Sequence, residues 1–277
     1  MPTKNRKKKF IGIFDSGFGG IDILRKIVKG LPDYNYLYLG DTARAPYGSR
    51  SEKLIYEFTK QGVDFLFKEG CDLIILACNT ASSDTLREIQ QKYLPKHYPQ
   101  KKVIGVLIPA AEEAAKATLN KKIGIIATER TVHSNAFKRE LIKLNPKVKV
   151  FQKACPLLVP IVEYGEQKSK ATILILESYL KPLIKKGIDT LILGCTHYGI
   201  LEKEIQSIVG VKIKIISESN ILSKKLKSYL ARHPEIEKNL GRNGTVNFFS
   251  TDMTDKFISL GSKFFGQKIK VKKIFLK

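Results

Sequence analysis

One cysteine of this chain stands where a reactive thiol is expected in an α/β protein. Cys78 follows the apolar run 73–77, whose lack of polar alternation predicts a strand buried on both faces of a parallel sheet. Apolar residues at helical spacing come after it, so Cys78 is expected between this strand and a helix. Open α/β sheets bind ligands at the carboxyl ends of their strands, and a thiol at a helix N-terminus ionises more easily.

The same pattern occurs again around Cys195. Segment 187–197, Gly-Ile-Asp-Thr-Leu-Ile-Leu-Gly-Cys-Thr-His, repeats segment 70–80, Gly-Cys-Asp-Leu-Ile-Ile-Leu-Ala-Cys-Asn-Thr, with its glycine, aspartate and cysteine in register. A looser echo relates 12–16 to 124–128 at nearly the same spacing, and a surface loop can absorb the small difference. We infer two related lobes, each offering one cysteine from the end of a buried strand.

Strands and helices alternate along the chain, which predicts an α/β fold with mostly parallel sheets. Within the second half, a helix is expected from residue 171, and Pro182 should end or kink it. The glycine-rich loop 15–20 lacks both the G-x-G-x-x-G spacing of a dinucleotide site and the lysine of a P-loop. We therefore interpret this loop as a strand-to-helix turn that brings Asp15 and Ser16 to the edge of the sheet.

The chain is strongly basic, with a net charge of +23. Such a charge attracts anions, nucleic acids and acidic membranes. However, lysine far outnumbers arginine and is spread over the whole chain, whereas specific base readers favour arginine. No nucleic-acid-binding motif accompanies the charge, so we expect a solvated surface and no nucleic-acid partner.

The remaining composition predicts a cytoplasmic protein. No apolar run approaches the roughly 18 residues of a membrane span, and the basic stretch 1–9 lacks the apolar segment of a secretory signal. Four cysteines are too few for a disulfide framework. Cys71 and Cys155 lack the repeated context and are interpreted as structural. Cys195 and His197 suggest a metal site together with Cys78, but no further ligand falls at a familiar spacing, so we expect no metal.

Five segments together resemble the glutamate racemases, a cofactor-independent family of the aspartate/glutamate racemase superfamily. They read Phe-Asp-Ser-Gly-Phe-Gly-Gly at 14–20, Gly-Asp-Thr-Ala-Arg-Ala-Pro-Tyr-Gly at 40–48, Ala-Cys-Asn-Thr-Ala-Ser at 77–82, Val-Pro-Ile-Val-Glu at 159–163 and Leu-Gly-Cys-Thr-His at 193–197. Five segments in the family's order are far more specific than any one alone. Residues after about 210 match weakly, and Tyr198 stands near the position where the family commonly has a proline.

The resemblance implies two pseudo-symmetric, doubly wound domains with mostly parallel sheets that face each other across a cleft. It also implies that the chain crosses between them twice. We therefore expect residues 1–104 plus 210–277 to form the lobe that carries Cys78, and residues 105–209 to form the lobe that carries Cys195. The implied activity is interconversion of L- and D-glutamate, with D-glutamate used for peptidoglycan synthesis. No nicotinamide, pyridoxal or metal cofactor and no membrane partner are expected, and we expect a homodimer.

The two repeated cysteines match the family's catalytic cysteines. Inverting an α-carbon removes a proton from one face and returns one to the other, which a thiolate and a thiol on opposite sides can do. Asp15 is the expected helper of Cys78, and His197, steadied by Glu163, is that of Cys195. The positions expected to contact the substrate are Asp15, Ser16, Tyr47, Gly48, Asn79, Thr80, Thr131, Thr196 and His197.

The chemistry of these residues suggests which group of the substrate each of them would bind. Asn79, Thr80 and Thr196 offer donors to its carboxylates, whereas Asp15 and Ser16 offer acceptors to its ammonium group. Three alternatives remain open at this point. They are a racemase of aspartate or another amino acid, a hydrolase with one cysteine nucleophile, and a basic nucleic-acid-binding protein.

Overall fold

The computed structural model describes residues 9–277, which form ten strands and fourteen α-helices within that range. The strands are β1 Phe10–Asp15, β2 Tyr36–Gly40, β3 Cys71–Leu76, β4 Lys102–Gly105, β5 Lys122–Ala127, β6 Lys149–Ala154, β7 Thr190–Gly194, β8 Lys214–Ser217, β9 Val246–Ser250 and β10 Val271–Lys273. The helices are α1 Gly20–Gly30, α2 Glu52–Lys68, α3 Asn79–Asp84, α4 Leu86–Glu88, α5 Leu94–His97, α6 Leu107–Ala117, α7 Glu129–Ser134, α8 Ala136–Leu144, α9 Leu158–Glu163, α10 Lys170–Lys185, α11 Glu202–Val209, α12 Glu218–Arg232, α13 Pro234–Glu237 and α14 Asp255–Phe265.

Two parallel sheets organise the chain. One has six strands in the order β10-β9-β2-β1-β3-β4, and the other has four in the order β6-β5-β7-β8. Every pairing in these two sheets is parallel. The order β2-β1-β3-β4 of the first sheet recurs as β6-β5-β7-β8 in the second. The predicted α/β class with two related, mostly parallel sheets is therefore confirmed.

The repeated segments occupy equivalent places in the two sheets. The echoing strands β1 and β5 lie centrally, each beside the strand that leads to a repeated cysteine. Gly12 and Gly124 also perform the same task, because each leaves room for a packed neighbour. A Cβ at Gly12 would lie 3.0 Å from the Cys71 sulfur, and one at Gly124 would lie 2.5 Å from the Ile188 side chain. The similarity between segments 12–16 and 124–128 thus reflects the tight packing of β1 and β5.

The chain passes between the sheets twice. It leaves the first sheet after β4, through α6, and returns after β8, through α12, which packs against both α1 and α6. Strand β8 pairs with β7, so the second sheet extends to Ser217, beyond the predicted limit of the second lobe at residue 209. The family motifs in the sequence end before β8, so they could not predict which sheet this strand joins. The other limits of the two lobes stay a prediction.

Two helices differ from their sequence patterns. The helix predicted after Cys78 ends at Asp84 and is followed by α4, a π-helical segment at Ile89–Tyr93 and α5. Pro182 does not end α10, which continues to Lys185, so the predicted end at this proline is wrong, while the alternative of a kink stays a prediction. Among residues 9–277, no helix combines the length and apolarity needed to cross a membrane.

Candidate active site

Both repeated cysteines lie at the carboxyl ends of their sheets, as the sequence predicts. Cys78 stands two residues beyond β3 and directly before α3, and Cys195 directly follows β7. Each is almost fully buried, at 6% and 7% exposure, and both sulfurs are free. The two cysteines line one cavity between the lobes. A molecule in this cavity would therefore meet one thiol from each sheet.

Most of the predicted site residues line the same cavity. They are Ser16, Tyr47, Gly48, Cys78, Asn79, Thr80, Glu163, Cys195, Thr196 and His197. The sequence interpretation omitted five other lining residues, namely Gly17, Ala45, Pro46, Thr128 and Val159. Ser16 also touches the first thiol, because its Oγ lies 3.3 Å from the Cys78 sulfur. The cavity walls thus carry hydroxyl, thiol, imidazole and carboxylate groups.

Asp15 lies behind the cavity wall and links the lobes. It is fully buried, and its Oδ2 accepts backbone N–H bonds from Gly17 at 3.1 Å and Gly20 at 3.2 Å. Its Oδ1 accepts from the Thr196 hydroxyl at 3.4 Å. Burial raises the pKa of Asp15, while His197 and these hydrogen bonds oppose the rise. The Asp15 carboxyl group is therefore a proton acceptor that lies close to site residues of both lobes.

A cluster of three threonines joins the lobes on another side. The Thr80 hydroxyl lies 3.0 Å from that of Thr128 and 3.3 Å from that of Thr131. Thr131 is fully buried behind the wall, whereas Thr128 faces the cavity. A signal for Thr128 was present in the sequence, since it is the counterpart of Ser16 in the repeated segments 12–16 and 124–128.

His197 lies between the second thiol and an acid. Its Nδ1 is 3.9 Å from the Cys195 sulfur and 3.4 Å from the Thr196 hydroxyl. Its Nε2 is 3.2 Å from Glu163 Oε1, which is within ion-pair distance. However, this buried nitrogen makes no hydrogen bond.

Burial dominates the protonation of both thiols. It raises the pKa of Cys78 to about 11, with a further rise from Asp15, while the Ser16 hydroxyl and backbone N–H groups lower it. Burial also raises the pKa of Cys195, against a backbone hydrogen bond at His197. Burial therefore outweighs the expected lowering of the thiol pKa by a helix N-terminus. Helix α3 has only six residues, and Cys195 is followed by a 3-10 turn at Tyr198–Leu201.

The loop that carries Tyr47 is fixed by a buried carboxylate. Asp41 is fully buried and accepts hydrogen bonds from the Tyr47 hydroxyl, from Arg44 Nε at 2.7 Å and from the Thr251 hydroxyl at 2.8 Å. Gly48 then packs against the other lobe, since a Cβ there would lie 2.9 Å from Thr128. The loop therefore forms a rigid wall of the cavity.

A family model described as Asp/Glu/Hydantoin racemase matches residues 11–218. The chain belongs to this family. A glutamate racemase of Sulfurihydrogenibium is 41% identical over 270 residues, covering 96% of this chain and 97% of the relative. A glutamate racemase isoform from Bacillus anthracis superposes with a TM-score of 0.88 at 35% identity, covering 97% of this chain and 98% of that structure. The enzyme from Francisella tularensis, solved in complex with D-glutamate, superposes with a TM-score of 0.86 at 33% identity, covering 97% and 98%.

At one position where this racemase departs from the motifs of its family, the residue has a structural role. Tyr198, which follows the Cys-Thr-His triplet, is fully buried, and its hydroxyl donates to the Cys155 carbonyl at 2.7 Å. Cys155 and Cys71 are fully buried and line no part of the cavity. Within residues 9–277, no three histidine, cysteine or acidic side chains are grouped so as to hold a metal ion.

Proposed function

We propose that this chain interconverts L- and D-glutamate without a cofactor, by proton transfer between the substrate α-carbon and two thiols. One observation carries the proposal. The cysteine at the end of β3 and the cysteine at the end of β7 line a single cavity between two related lobes. The glutamate racemases that this chain resembles over almost its whole length support glutamate as the substrate.

The proposed reaction uses the two cysteines in turn. A thiolate on one side takes the α-proton and becomes a thiol, and the electron pair left on the α-carbon spreads into the α-carboxylate. The thiol on the other side then gives its proton to the opposite face and becomes a thiolate. Cys78 and Cys195 thus exchange protonation in each turnover, and the reverse reaction uses the same steps backwards.

Each thiol can form a thiolate only if a nearby group accepts its proton, because burial favours the neutral thiol. We assign this role for Cys78 to Asp15, because burial raises the pKa of this carboxyl group and so favours its taking up a proton. We assign it for Cys195 to His197, whose Nδ1 faces the sulfur, with Glu163 orienting the ring. The hydroxyls of Ser16, Thr80 and Thr196 and the backbone at Tyr47 and Gly48 would bind the substrate, with Thr131 holding Thr80 in place.

We further propose that the D-glutamate formed serves peptidoglycan synthesis in the cytoplasm, and that the enzyme is a homodimer. The racemase relatives support the first of these proposals, whereas the dimer rests on the sequence expectation alone.

The experiment follows the α-hydrogen of L-glutamate in deuterated water. The wild type should incorporate deuterium and lose optical rotation together. Cys78→Ser and Cys195→Ser should each lose inversion by at least about a thousandfold, because one proton carrier is missing. Each variant should keep deuterium exchange into one enantiomer only, and the favoured enantiomer should differ between the two.

Cys155→Ser is the matched control, since this buried cysteine lies outside the cavity. It should keep the wild-type rate. Full activity in Cys195→Ser beside complete loss in Cys78→Ser would instead indicate a single nucleophilic thiol. Faster turnover of L-aspartate than of L-glutamate would contradict the proposed substrate.

A further inference from the structure

A buried carboxyl group stands behind the cavity and is not used by the proposed chemistry. Glu218 is the first residue of α12, where the chain leaves the second sheet, and only 2% of it is exposed. Its Oε2 accepts a hydrogen bond from Asn79 Nδ2 at 3.0 Å. Asn79 lies 139 positions earlier in the chain, directly after Cys78, and is the first residue of α3. Glu218 itself does not line the cavity.

This bond fixes what Asn79 can offer to a ligand. One of the two N–H groups on Asn79 Nδ2 is directed at Glu218, which turns the carbonyl oxygen away from Glu218. That oxygen, Asn79 Oδ1, is buried and has no hydrogen-bond partner among the described residues. A buried polar atom without a partner is costly, so it is expected to receive a donor when the cavity is occupied. Asn79 lines the cavity, so the donor can come from the ligand.

We propose that Glu218 is a positioning residue that turns the Asn79 side chain so that its oxygen accepts a hydrogen bond from the ammonium group of the substrate. This inference rests on the proposed function, because it requires an amino acid in the cavity. An ammonium group has only donors, so it matches a carbonyl oxygen, whereas a carboxylate has only acceptors and would not. Asn79 then binds the amino group, and not a carboxylate as the sequence alone suggested.

The carboxyl group suits this role in either protonation form. Burial raises the pKa of Glu218 to about 8, against the hydrogen bond from Asn79, and Asp15 raises it further. Near neutral pH much of the group is therefore uncharged, yet it keeps one oxygen that accepts from Asn79. A glutamine amide has the same shape and the same accepting oxygen. Replacement by glutamine should therefore preserve the orientation, whereas an apolar residue should release it.

The test compares glutamate with glutarate, the same dicarboxylate without the amino group. For Glu218→Leu, we expect the KM for glutamate to rise about tenfold or more, because a hydrogen bond to a charged group is lost. The inhibition constant of glutarate should change less than about threefold. Glu218→Gln should stay within about threefold of the wild type for both molecules, and thermal unfolding of each variant checks that it folds.

Asn79→Leu gives the same comparison without altering Glu218. It should also weaken glutamate about tenfold or more and leave glutarate nearly unchanged. Equal weakening of glutamate and glutarate in both leucine variants would overturn the inference, because Asn79 would then bind a carboxylate. Equal losses in Glu218→Gln and Glu218→Leu would also overturn it. A wild type that exchanges no α-hydrogen of glutamate would instead overturn the proposed function, and this inference with it.

Discussion

Arg130 joins the two lobes beside the cavity, and its loss should lower the stability of the protein. It lies in α7, which follows the cavity-lining Thr128, and its Nε donates to Asp84 at the end of α3. Its Nη2 also donates to Glu52 Oε2 at 2.7 Å. The Asp84 side chain is only 1% exposed, so Arg130 is the cation that compensates a buried charge.

The expected loss in Arg130→Met follows from this burial. Burial raises the pKa of Asp84, and the guanidinium of Arg130 opposes the rise. Without Arg130, the carboxyl group must take up a proton on folding, which at pH 7 costs at most about 4 kcal/mol for an aspartate of pKa about 3.9. Breaking a buried pair costs about 3–5 kcal/mol, but the Arg130 side chain is 26% exposed. We therefore expect a loss of about 2–3 kcal/mol in the free energy of unfolding.

Thermal unfolding measures this loss. A chain of 277 residues unfolds with an entropy of about 0.6 kcal/mol per kelvin, so Tm should fall by about 3–5 °C. Without the opposing guanidinium the folded pKa of Asp84 should rise further, so the penalty is full above that pKa, vanishes below the unfolded pKa, and should shrink as the pH falls from 7 towards 5. Arg139→Met is the control, because Arg139 is exposed on α8 and bonds within its own lobe.

A double-mutant cycle decides whether the pair is the cause. Asp84→Asn removes the buried charge, so adding Arg130→Met to it should cost about 1 kcal/mol or less. The same loss from Arg130→Met in both backgrounds, or no loss in the wild type, would refute the reasoning.

Two further predictions concern the proposed chemistry. Because burial raises the pKa of Cys78 to about 11, its thiolate fraction grows with pH, and kcat/KM for L-glutamate should rise by up to about tenfold per unit between pH 7 and 9. A flat profile would show that the thiol proton passes to a neighbouring group. His197→Asn should lower kcat by about 10- to 100-fold. Glu163→Gln should lower it less and add nothing to His197→Asn, because Glu163 acts through the ring; additive losses would contradict this.

Local patterns in the sequence predicted much of the fold. The apolar runs before the two cysteines predict strands buried on both faces, and β7 is buried at every residue. The duplicated segments predict a duplicated arrangement, which the shared strand order of the two sheets bears out. These features are predictable because each depends on neighbours in sequence and on the dense packing of parallel strands.

Contacts between distant segments could not be predicted in the same way. The bond from Asn79 to Glu218 joins residues 139 positions apart, and no local pattern specifies it. The pair of Arg130 and Asp84 is likewise formed only when the lobes meet. The break of the helix after Asp84 and the continuation of α10 through Pro182 also depend on tertiary packing, which overrides local propensity.

The six-stranded sheet is assembled from both ends of the chain, and this affects synthesis on the ribosome. Strand β2 at Tyr36–Gly40 pairs with β1 on one side and with β9 at Val246–Ser250 on the other. The edge of β2 that pairs with β9 therefore stays unpaired while the whole second lobe is translated. All five residues of β2 are buried in the finished protein, so a nascent chain exposes an apolar strand with open backbone groups. Such an edge is a template for self-association, and the arrival of the last strands removes it.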